Sequence, residues 1–348
     1  MIVGVGFVFT RVLSAPLQGT LGMTVFGGGF LVLIAFVWEG IKGRRVRRLT
    51  PRQPEDPNVV IAFVRDGIRG LDPRGLTPRQ RKGMLLHALT SSLMKIGGPV
   101  AFAYIGAGPY ASITALGSLL AGLPKTTPTG RALRVPIFLA VLIATGAVMG
   151  NQSPDPWGIV AAVAAATHPL SLPSQAKLLG DKRDQGVAQA NIICMLVVIP
   201  ALFPLADYLG TPVGNWTWSP TEIVAMAAAG LFATAIAAVM QTRAGIYLTK
   251  GGMGVWAATA PALQPTVAWA LAPVLLDVFG IATVNPNASQ WIAFGIVTST
   301  SAITARLDAE AAEAAAAAEA AKAAEEAEAA ADAEAAADAA QAGPTRRD

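Results

Sequence analysis

The sequence predicts an all-α integral membrane protein with about ten transmembrane helices. Of the 348 residues, 53% are hydrophobic and only 14% are charged, and the mean hydropathy is +0.50. A soluble domain carries about 25% charged residues, so this is the composition of a membrane protein. The spacing of the apolar segments, the distribution of loop charges and an internal sequence similarity predict how the helices are arranged.

Apolar segments recur along the chain, and most are long enough for the roughly 20 residues that cross a hydrocarbon core. They lie near residues 2–5, 22–41, 84–104, 107–123, 133–150, 157–176, 187–208, 221–241, 252–276 and 288–305. The first is provisional because it is short and is followed by Arg11. Either Arg11 faces the interface or the protein interior, or the written start codon lies downstream of the true one.

Basic residues are confined to alternate loops. The loop 42–83 is rich in arginine, and the loops after spans four, six and eight also carry Lys or Arg, whereas the intervening loops carry none. The positive-inside rule therefore predicts a multi-pass protein of the cytoplasmic (inner) membrane with both termini in the cytoplasm. Trp157, Trp216, Trp218 and Trp291 fall on the opposite side, as expected of an interfacial aromatic belt.

The two halves of the chain resemble each other. GMGVWAA (252–258) matches the pattern of GAGPYAS (106–112) at an offset of 146 residues. Ten spans then divide into five-span repeats, 1–150 and 151–306, and an odd number of spans inverts the second repeat. Four glycines are expected to allow close helix approach where the repeats meet: Gly106, Gly108, Gly252 and Gly254.

Two regions outside the spans carry most of the charge. Residues 1–306 have a net charge of +12 and residues 307–348 have −8. Within the basic loop, 58–70 has helical apolar spacing and is expected to lie on the inner membrane surface, held to phospholipid or used for docking. The Ala/Glu-rich tail predicts a solvated cytoplasmic helix, with partner docking as the alternative.

Motifs of soluble enzymes do not occur in the sequence. It has no phosphate-binding loop and no nucleophile elbow. Two histidines and one cysteine exclude a multi-histidine metal site, and Cys194 is interpreted as a packing residue. We therefore expect no enzymatic activity, no cofactor and no nucleic-acid partner.

Lys95 is the most unusual residue of the third span. A lysine at the centre of a membrane helix costs about 2.5–3.5 kcal/mol to insert, so it should face the bundle interior. It either attracts an anion or responds to protons, or it pairs with a carbonyl or reaches the interface. His87 lies eight residues earlier, about two helical turns, and is a candidate proton-linked group.

Three further polar residues lie in or at the end of later spans. His168 precedes Pro169, so it either lines a cavity or bonds the carbonyl that the proline leaves free. Gln264 precedes Pro265 and either satisfies the opened backbone or binds substrate. Asp277 closes the ninth span and is either a solvated carboxylate or a gating or proton-linked group.

Several segments resemble the EamA-like family of the drug/metabolite transporter superfamily, with threonine/homoserine exporters as the most similar branch. The resemblance is carried by AFAYIGAGPYASITALGSLLAGLP (101–124), GMGVWAATAPALQPTVAWALAPVLLD (252–277), GIVAAVAAATHPLSLPSQAK (158–177) and WIAFGIVTSTSAITA (291–305). It covers about residues 20–306 and implies ten spans in two inverted repeats, with export of amino acids or other small metabolites.

The chain departs from that family at its membrane carboxylates. Gln264 stands where the branch has a glutamate before proline, and Thr114 stands at the matching glutamate of the fourth span. Asp277 matches the acidic residue that closes the ninth span. The resemblance implies a cavity lined by spans three, four, eight and nine, but not the coupling ion.

We therefore expect a secondary transporter that exports a small polar metabolite or amino acid by alternating access. Substrate-binding candidates are Gln264, Thr114, Lys95 and His168, and gating candidates are Asp277 and His87. The expected partners are the substrate and the lipid bilayer, and a homodimer is left open. The alternative is a non-transporting membrane scaffold that recruits partners through its basic loop and acidic tail.

Overall fold

The computed structural model describes residues 16–49, 59–105, 107–121, 128–145, 155–240, 270 and 288–341, and within these ranges all regular structure is helical. The α-helices are α1 (Pro16–Leu49), α2 (Val59–Leu71), α3 (Pro78–Ile105), α4 (Ala107–Leu120), α5 (Pro128–Ala132), α6 (Arg134–Thr145), α7 (Pro156–Leu179), α8 (Arg183–Tyr208), α9 (Pro220–Ala229) and α10 (Ala288–Gln341). A π-helical segment, Gly230–Ile236, continues α9, and short 3₁₀ turns occur at Pro73–Gly75, Gly180–Lys182 and Val213–Asn215.

Three stretches of the described residues are long and apolar enough to cross a membrane. They are Leu17–Gly43 in α1, Pro156–Tyr208 across α7 and α8, and Pro220–Met240 from α9 through the π-helical segment. A shorter apolar stretch, Trp291–Thr304, lies in α10. The chain is thus a helical protein that associates with membranes.

The exposure pattern of α3 is the reverse of that of a soluble helix. Leu85 and Leu89 are 54% and 60% exposed, whereas Lys95 on the same helix is 7% exposed. Burial of apolar side chains drives folding in water, so exposed leucines beside a buried lysine indicate lipid as the surroundings.

Helix α3 packs antiparallel against α7 along its whole length. Gly83 near the start of α3 lies beside Leu178 near the end of α7, and Gly97 lies beside Ala161 near the start of α7. A Cβ atom at Gly97 would be 2.7 Å from the carbonyl oxygen of Ala161. Small residues are what allow two backbones to come this close.

Helix α8 fixes the direction of two other helices. Leu17 at the start of α1 clusters with Leu202 near the end of α8, and Leu31 clusters with Val187 near its start. Helices α1 and α8 are therefore antiparallel. In the same two clusters, Met84 of α3 joins Val187 and Ile96 of α3 joins Val198, so α3 and α8 are parallel.

Two more pairs of helices run parallel. Helix α1 is parallel to α9 and the π-helical segment that continues it, because Gly22 lies beside Met226 and Gly27 lies beside Thr234. Helix α4 is parallel to α7, because Tyr110 lies near Ala162 and Gly117 lies beside Ala166. Helices α3 and α8 therefore point one way, and α1, α4, α7 and α9 point the other way. Helix α6 packs on α4 and α10 through a cluster that includes Ala115, Ile137 and Val297.

One end of the bundle, here named the basic end, brings together two basic segments of the sequence. It lies where α3 begins and α7 ends. The guanidinium of Arg79 donates to the carbonyl of Lys177 at 3.4 Å, and the amide of Gln80 donates to Asp181 at 3.0 Å. The α7–α8 turn at this end contains Gly180, whose φ of +56° favours glycine.

The other end, here named the aromatic end, carries tyrosine and tryptophan. The hydroxyls of Tyr104 and Tyr208 are 2.7 Å apart, and Trp216 packs with the residues around Leu202 and donates its indole N–H to the carbonyl of Thr211 at 2.8 Å. The start of α7, which includes exposed Trp157, is at this end too. The position predicted for Trp291 on this side stays a prediction.

The amphipathic helix expected at 58–70 is present as α2. Its inner face packs on α1, where the rings of Phe63 and Phe36 meet edge to face with centroids 6.0 Å apart. Val60, Val64 and Ile68 remain exposed on another face. The surface position predicted for this segment stays a prediction.

The tail forms a helix continuous with the last predicted span. Helix α10 has 54 residues, and its described side chains beyond Glu310 are exposed. It carries i,i+4 ion pairs such as Arg306–Glu310, at 2.9 Å. Whether the tail lies in the cytoplasm stays a prediction.

Several helices extend beyond the apolar segments from which they were predicted. Helix α1 spans Pro16–Leu49 rather than 22–41, since a helical backbone satisfies its own hydrogen bonds and does not stop where hydropathy falls. The predicted spans at 2–5 and 252–276 lie outside the described residues, apart from Ala270. Ten spans and the inverted repeat therefore stay predictions.

We expect Gly97→Ala to destabilise the protein by about 1–3 kcal/mol, because the added methyl group has no space against the Ala161 backbone. Gly29→Ala is the matched control, since a Cβ there meets nothing within 4 Å. Thermal unfolding of both variants in detergent tests this. Equal stability of the two variants would contradict the close α3–α7 contact.

Candidate functional site

Helix α3 presents a row of buried polar side chains to the interior of the bundle. His87, Thr90, Ser91 and Lys95 are each 7% exposed or less. Thr90 and Ser91 lie three and four residues after His87, and Lys95 lies four after Ser91, so the row follows one side of the helix. This side of α3 is therefore polar and buried.

Helix α7 supplies a second polar row at the same spacing. His168, Ser171 and Gln175 lie opposite the row of α3 because the two helices are antiparallel and in close contact. Pro169 and Pro173 interrupt the backbone hydrogen bonds of α7 in this region, yet the helix continues to Leu179. The result is a polar cluster, which we define as His87, Thr90, His168, Ser171 and Gln175.

The polar cluster is joined by short hydrogen bonds across the α3–α7 interface. Nδ1 of His87 is 2.7 Å from Oε1 of Gln175, and Nδ1 of His168 is 3.1 Å from Oγ1 of Thr90. The amide nitrogen of Gln175 donates to Thr90 at 3.0 Å and to Ser171 at 2.6 Å. The two imidazole rings meet edge to face, with centroids 5.1 Å apart.

One assignment of protons satisfies these contacts together. Thr90 donates its hydroxyl to the carbonyl of Leu86 at 2.9 Å and accepts from Gln175 and His168. His87 then donates from Nδ1 to the Gln175 carbonyl oxygen, and both amide hydrogens of Gln175 are used. A network in which each member finds its partners contributes specificity to helix packing.

Lys95 is close to this network but is not satisfied by it. Its ammonium nitrogen is buried, and no described oxygen or nitrogen accepts a hydrogen bond from it. The two imidazoles and the thiol of Cys194 are near enough to interact with it electrostatically. Because Lys95 is buried, its side chain does not extend to the membrane surface, as one interpretation of the sequence had it.

Cys194 connects α8 to the same place. Its Sγ is buried, with the thiol 3.8 Å from Oγ of Ser91. Helices α3, α7 and α8 thus meet around Lys95. Ten residues separate Lys95 from the last residue of α3, about 15 Å along the helix, so it lies near the middle of the predicted span.

The structure separates the predicted site residues into groups. Lys95, His87 and His168 come together, and His168 bonds Thr90 rather than a freed carbonyl. Thr114 donates to the carbonyls of Tyr110 and Ala111 in its own helix, at 3.1 and 3.0 Å, and no described contact joins it to Lys95. Gly108 lies in α4. The other predicted residues lie outside the described ranges: Gln264, Asp277, Gly106, Gly252 and Gly254.

Sequence reasoning missed three members of the polar cluster, namely Thr90, Ser171 and Gln175. A signal was present, because each lies three or four residues from another polar residue of an otherwise apolar segment. Such i,i+3 and i,i+4 spacing marks one face of a helix. Within the described ranges, no three His, Cys, Asp or Glu side chains could hold a metal ion.

A cavity of about 330 Å³ lies elsewhere, between α1, α8 and the residues that follow the π-helical segment. Its lining is apolar except for Asp184 and includes Trp38 and Val239. An apolar groove suits hydrocarbon better than a polar metabolite. The surroundings of Lys95 therefore remain the better candidate site.

Comparison with known proteins gives a fold but no family. No protein-family model matches the chain, and no curated protein matches it. It is similar to a solved crystal structure whose name states no function, with a TM-score of 0.56 at 18% identity, over 88% of this chain and 94% of the other. A similarity at this identity shows a shared fold and carries no activity.

We expect Thr90→Val to destabilise the protein by about 1–3 kcal/mol, because it leaves His168 and Gln175 without their buried acceptor. Thr298→Val is the matched control, since that exposed hydroxyl bonds only the carbonyl of Phe294 in its own helix. Thermal unfolding in detergent is the measurement. A Thr90→Val protein as stable as the control would show that the polar cluster contributes nothing to packing.

Proposed function

We propose that this chain is a secondary transporter that moves a small polar metabolite across the cytoplasmic membrane by alternating access, in the direction of export. The substrate binds beside Lys95, between α3, α7 and α8. The sequence resemblance to the EamA-like family supports this proposal, and we propose membership of that family on the same basis.

The observation that carries the proposal is the state of Lys95. An ionisable side chain is kept in the middle of a bundle whose outer surface is apolar, and no described oxygen or nitrogen satisfies it. Retaining such a group costs stability, so ionisable residues inside membrane bundles are by default functional. The neighbouring polar cluster is satisfied by its own members and therefore suits a structural role.

The directions of six helices support the proposed topology. The second, fourth, sixth and eighth predicted spans correspond to α1, α4, α7 and α9, which point one way. The third and seventh correspond to α3 and α8, which point the other way. A chain that crosses a membrane at each span requires this alternation. The gathering of basic residues at one end of the bundle supports a cytoplasmic assignment for that end.

The packing partners are also those expected of inverted repeats. The proposed repeat places span seven where span two would be, and span eight where span three would be. A contact between spans two and eight therefore predicts an equivalent contact between spans seven and three, and both are present, since α1 packs in parallel on α9 and α8 packs in parallel on α3.

The repeat maps the contact between spans two and seven onto itself, and likewise the contact between spans five and ten. Both contacts are present, as α1 with α8 and α6 with α10. This arrangement supports a transporter architecture.

Metabolite profiling tests the transport proposal. Overexpression of the chain should raise at least one small polar compound in the medium, and Lys95→Met should reduce that rise about tenfold or more, as loss of a charge-assisted hydrogen bond implies. The variant must insert into the membrane to the same amount. An unchanged medium on overexpression of the natural chain would contradict transport.

Reporter fusions test the topology. Fusions after residues 60 and 180 should report the cytoplasm, whereas fusions after residues 153 and 214 should report the outside, because basic loops stay inside. An alkaline phosphatase reporter, active only outside, and a cytoplasm-active fluorescent reporter give opposite signals at each site. The inverted pattern would overturn the proposed orientation.

The exposed helical tail favours one alternative, a scaffold that recruits cytoplasmic partners. Its described side chains beyond Glu310 make no contact with the bundle that would explain the length of α10. Deletion of 307–348 separates the two functions, since export should persist without the tail, whereas recruitment of partners should fail. Loss of partner recruitment from a chain that exports nothing would favour the scaffold.

A further inference from the structure

We infer that the ligand of this bundle is a small carboxylate of net charge −1, held by the ammonium of Lys95. This inference deepens the proposed transport function by naming a substrate class, and it rests on that function for its biological meaning. It rests on the structure for the binding site. The argument concerns where the countercharge of Lys95 comes from.

Among the residues that the structure describes, no carboxylate lies at the level of Lys95. Residues 1–306 contain eleven acidic side chains, and the described ones lie at the two ends of the bundle. At or beyond the basic end are Glu39, Asp66, Asp72, Asp181 and Asp184, and at the aromatic end are Asp155, Asp207 and Glu222. Of the others, Glu55 and Asp56 belong to the basic loop, and Asp277 closes the predicted ninth span at its outer side.

The end positions of the acidic residues follow from their contacts. Glu39 pairs with Lys42 at 2.8 Å, and Asp155 caps α7 by accepting from the backbone N–H of Trp157 at 2.8 Å. Glu222 closes a capping box with Ser219 at the start of α9. These carboxylates have local roles that hold them away from the centre of the bundle.

The requirements of Lys95 point to an oxyanion. An ammonium has three N–H donors, and an ion in a medium of low dielectric constant needs a countercharge. The described oxygen and nitrogen atoms supply no acceptor, and the thiol of Cys194, the side chain that interacts with Lys95, is only a weak one. A carboxylate supplies both the acceptor oxygens and the charge, and Ser91 and Cys194 provide a weakly polar rim beside it.

The charge of the ligand follows from the number of cations. Lys95 is a single cation, because the hydrogen bonds assigned above use neutral His87 and His168, each with one N–H donor. Two arginines that are packed into the described bundle bond elsewhere. Arg134 donates to the carbonyls of Leu119 and Ala121 at the end of α4, and Arg183 donates to Ala176 at the basic end. A phosphate dianion would therefore be only half neutralised, whereas one carboxylate balances one ammonium.

Ligand-dependent stabilisation of the purified full chain tests the inference. The probes are the potassium salts of acetate, propionate, lactate and pyruvate, each paired with its neutral amide, and potassium chloride as the control for salt. Titration to about 50 mM detects millimolar affinity through the rise in thermal midpoint, because a ligand stabilises the state it binds. We expect at least one carboxylate to raise the midpoint and its amide and chloride to have no effect.

Variants locate the effect at Lys95. Lys95→Met should weaken carboxylate binding by about 10- to 100-fold, as expected when a hydrogen bond to a charged group is lost. Lys95→Arg keeps the charge and should retain binding. Lys42→Met, which removes a surface lysine paired with Glu39, is the matched control and should bind as the natural chain does.

Four results would overturn the inference: no carboxylate stabilises the natural chain, an amide stabilises it equally, chloride stabilises it equally, or Lys95→Met binds with unchanged affinity. If Lys95→Met does not fold, the comparison of carboxylate with amide on the natural chain and on Lys95→Arg still decides. Export of a neutral compound together with no carboxylate binding would refute this inference and leave transport standing. Carboxylate binding without any exported compound would refute transport and leave the inference standing.

Discussion

The close antiparallel contact of α3 with α7 is the constraint on which the interior of this bundle depends. At Gly97 the space is too small even for a methyl group, since the Ala161 carbonyl lies 2.7 Å from where a Cβ would be. Because the backbones are this close, Thr90 reaches both His168 and Gln175 with ordinary hydrogen-bond lengths. The packing of small residues and the pairing of polar residues therefore support each other.

The same contact divides the buried polar residues into two kinds. Those in the polar cluster exchange hydrogen bonds across the helix pair and bring specificity to the packing. Lys95 lies two turns beyond His87 on α3 and has no such partner among the described oxygen and nitrogen atoms. The same helices satisfy the polar groups of the cluster. The lysine that they leave without an oxygen or nitrogen partner is therefore more informative about function.

Much of the fold could be predicted because the local composition of a segment indicates whether lipid or water surrounds it. Hydropathy located the helices α1, α3, α4 and α6 to α9, and the helical pattern of 58–70 located α2. Boundaries were less accurate, as α1 shows, because a helix continues past the apolar core as long as its backbone bonds are satisfied. Of the site, Lys95 was predicted to face the bundle interior, and His87 and His168 were named as candidates, but the partners of all three were not predicted.

The sequence by itself determined that this protein is helical, that it carries apolar segments long enough for a membrane, and that one of these segments contains a lysine, Lys95. Tertiary structure alone decided that His87 pairs with Gln175, that His168 pairs with Thr90, and that Lys95 faces Cys194 on a third helix. The physical reason is that hydropathy and charge act on each segment separately, whereas hydrogen bonds between helices depend on which faces meet and at what distance. The packing of small residues such as Gly97 decides which faces meet. The partner of Gly97 is Ala161, 64 positions later in the chain, and the local sequence around Gly97 does not predict this contact.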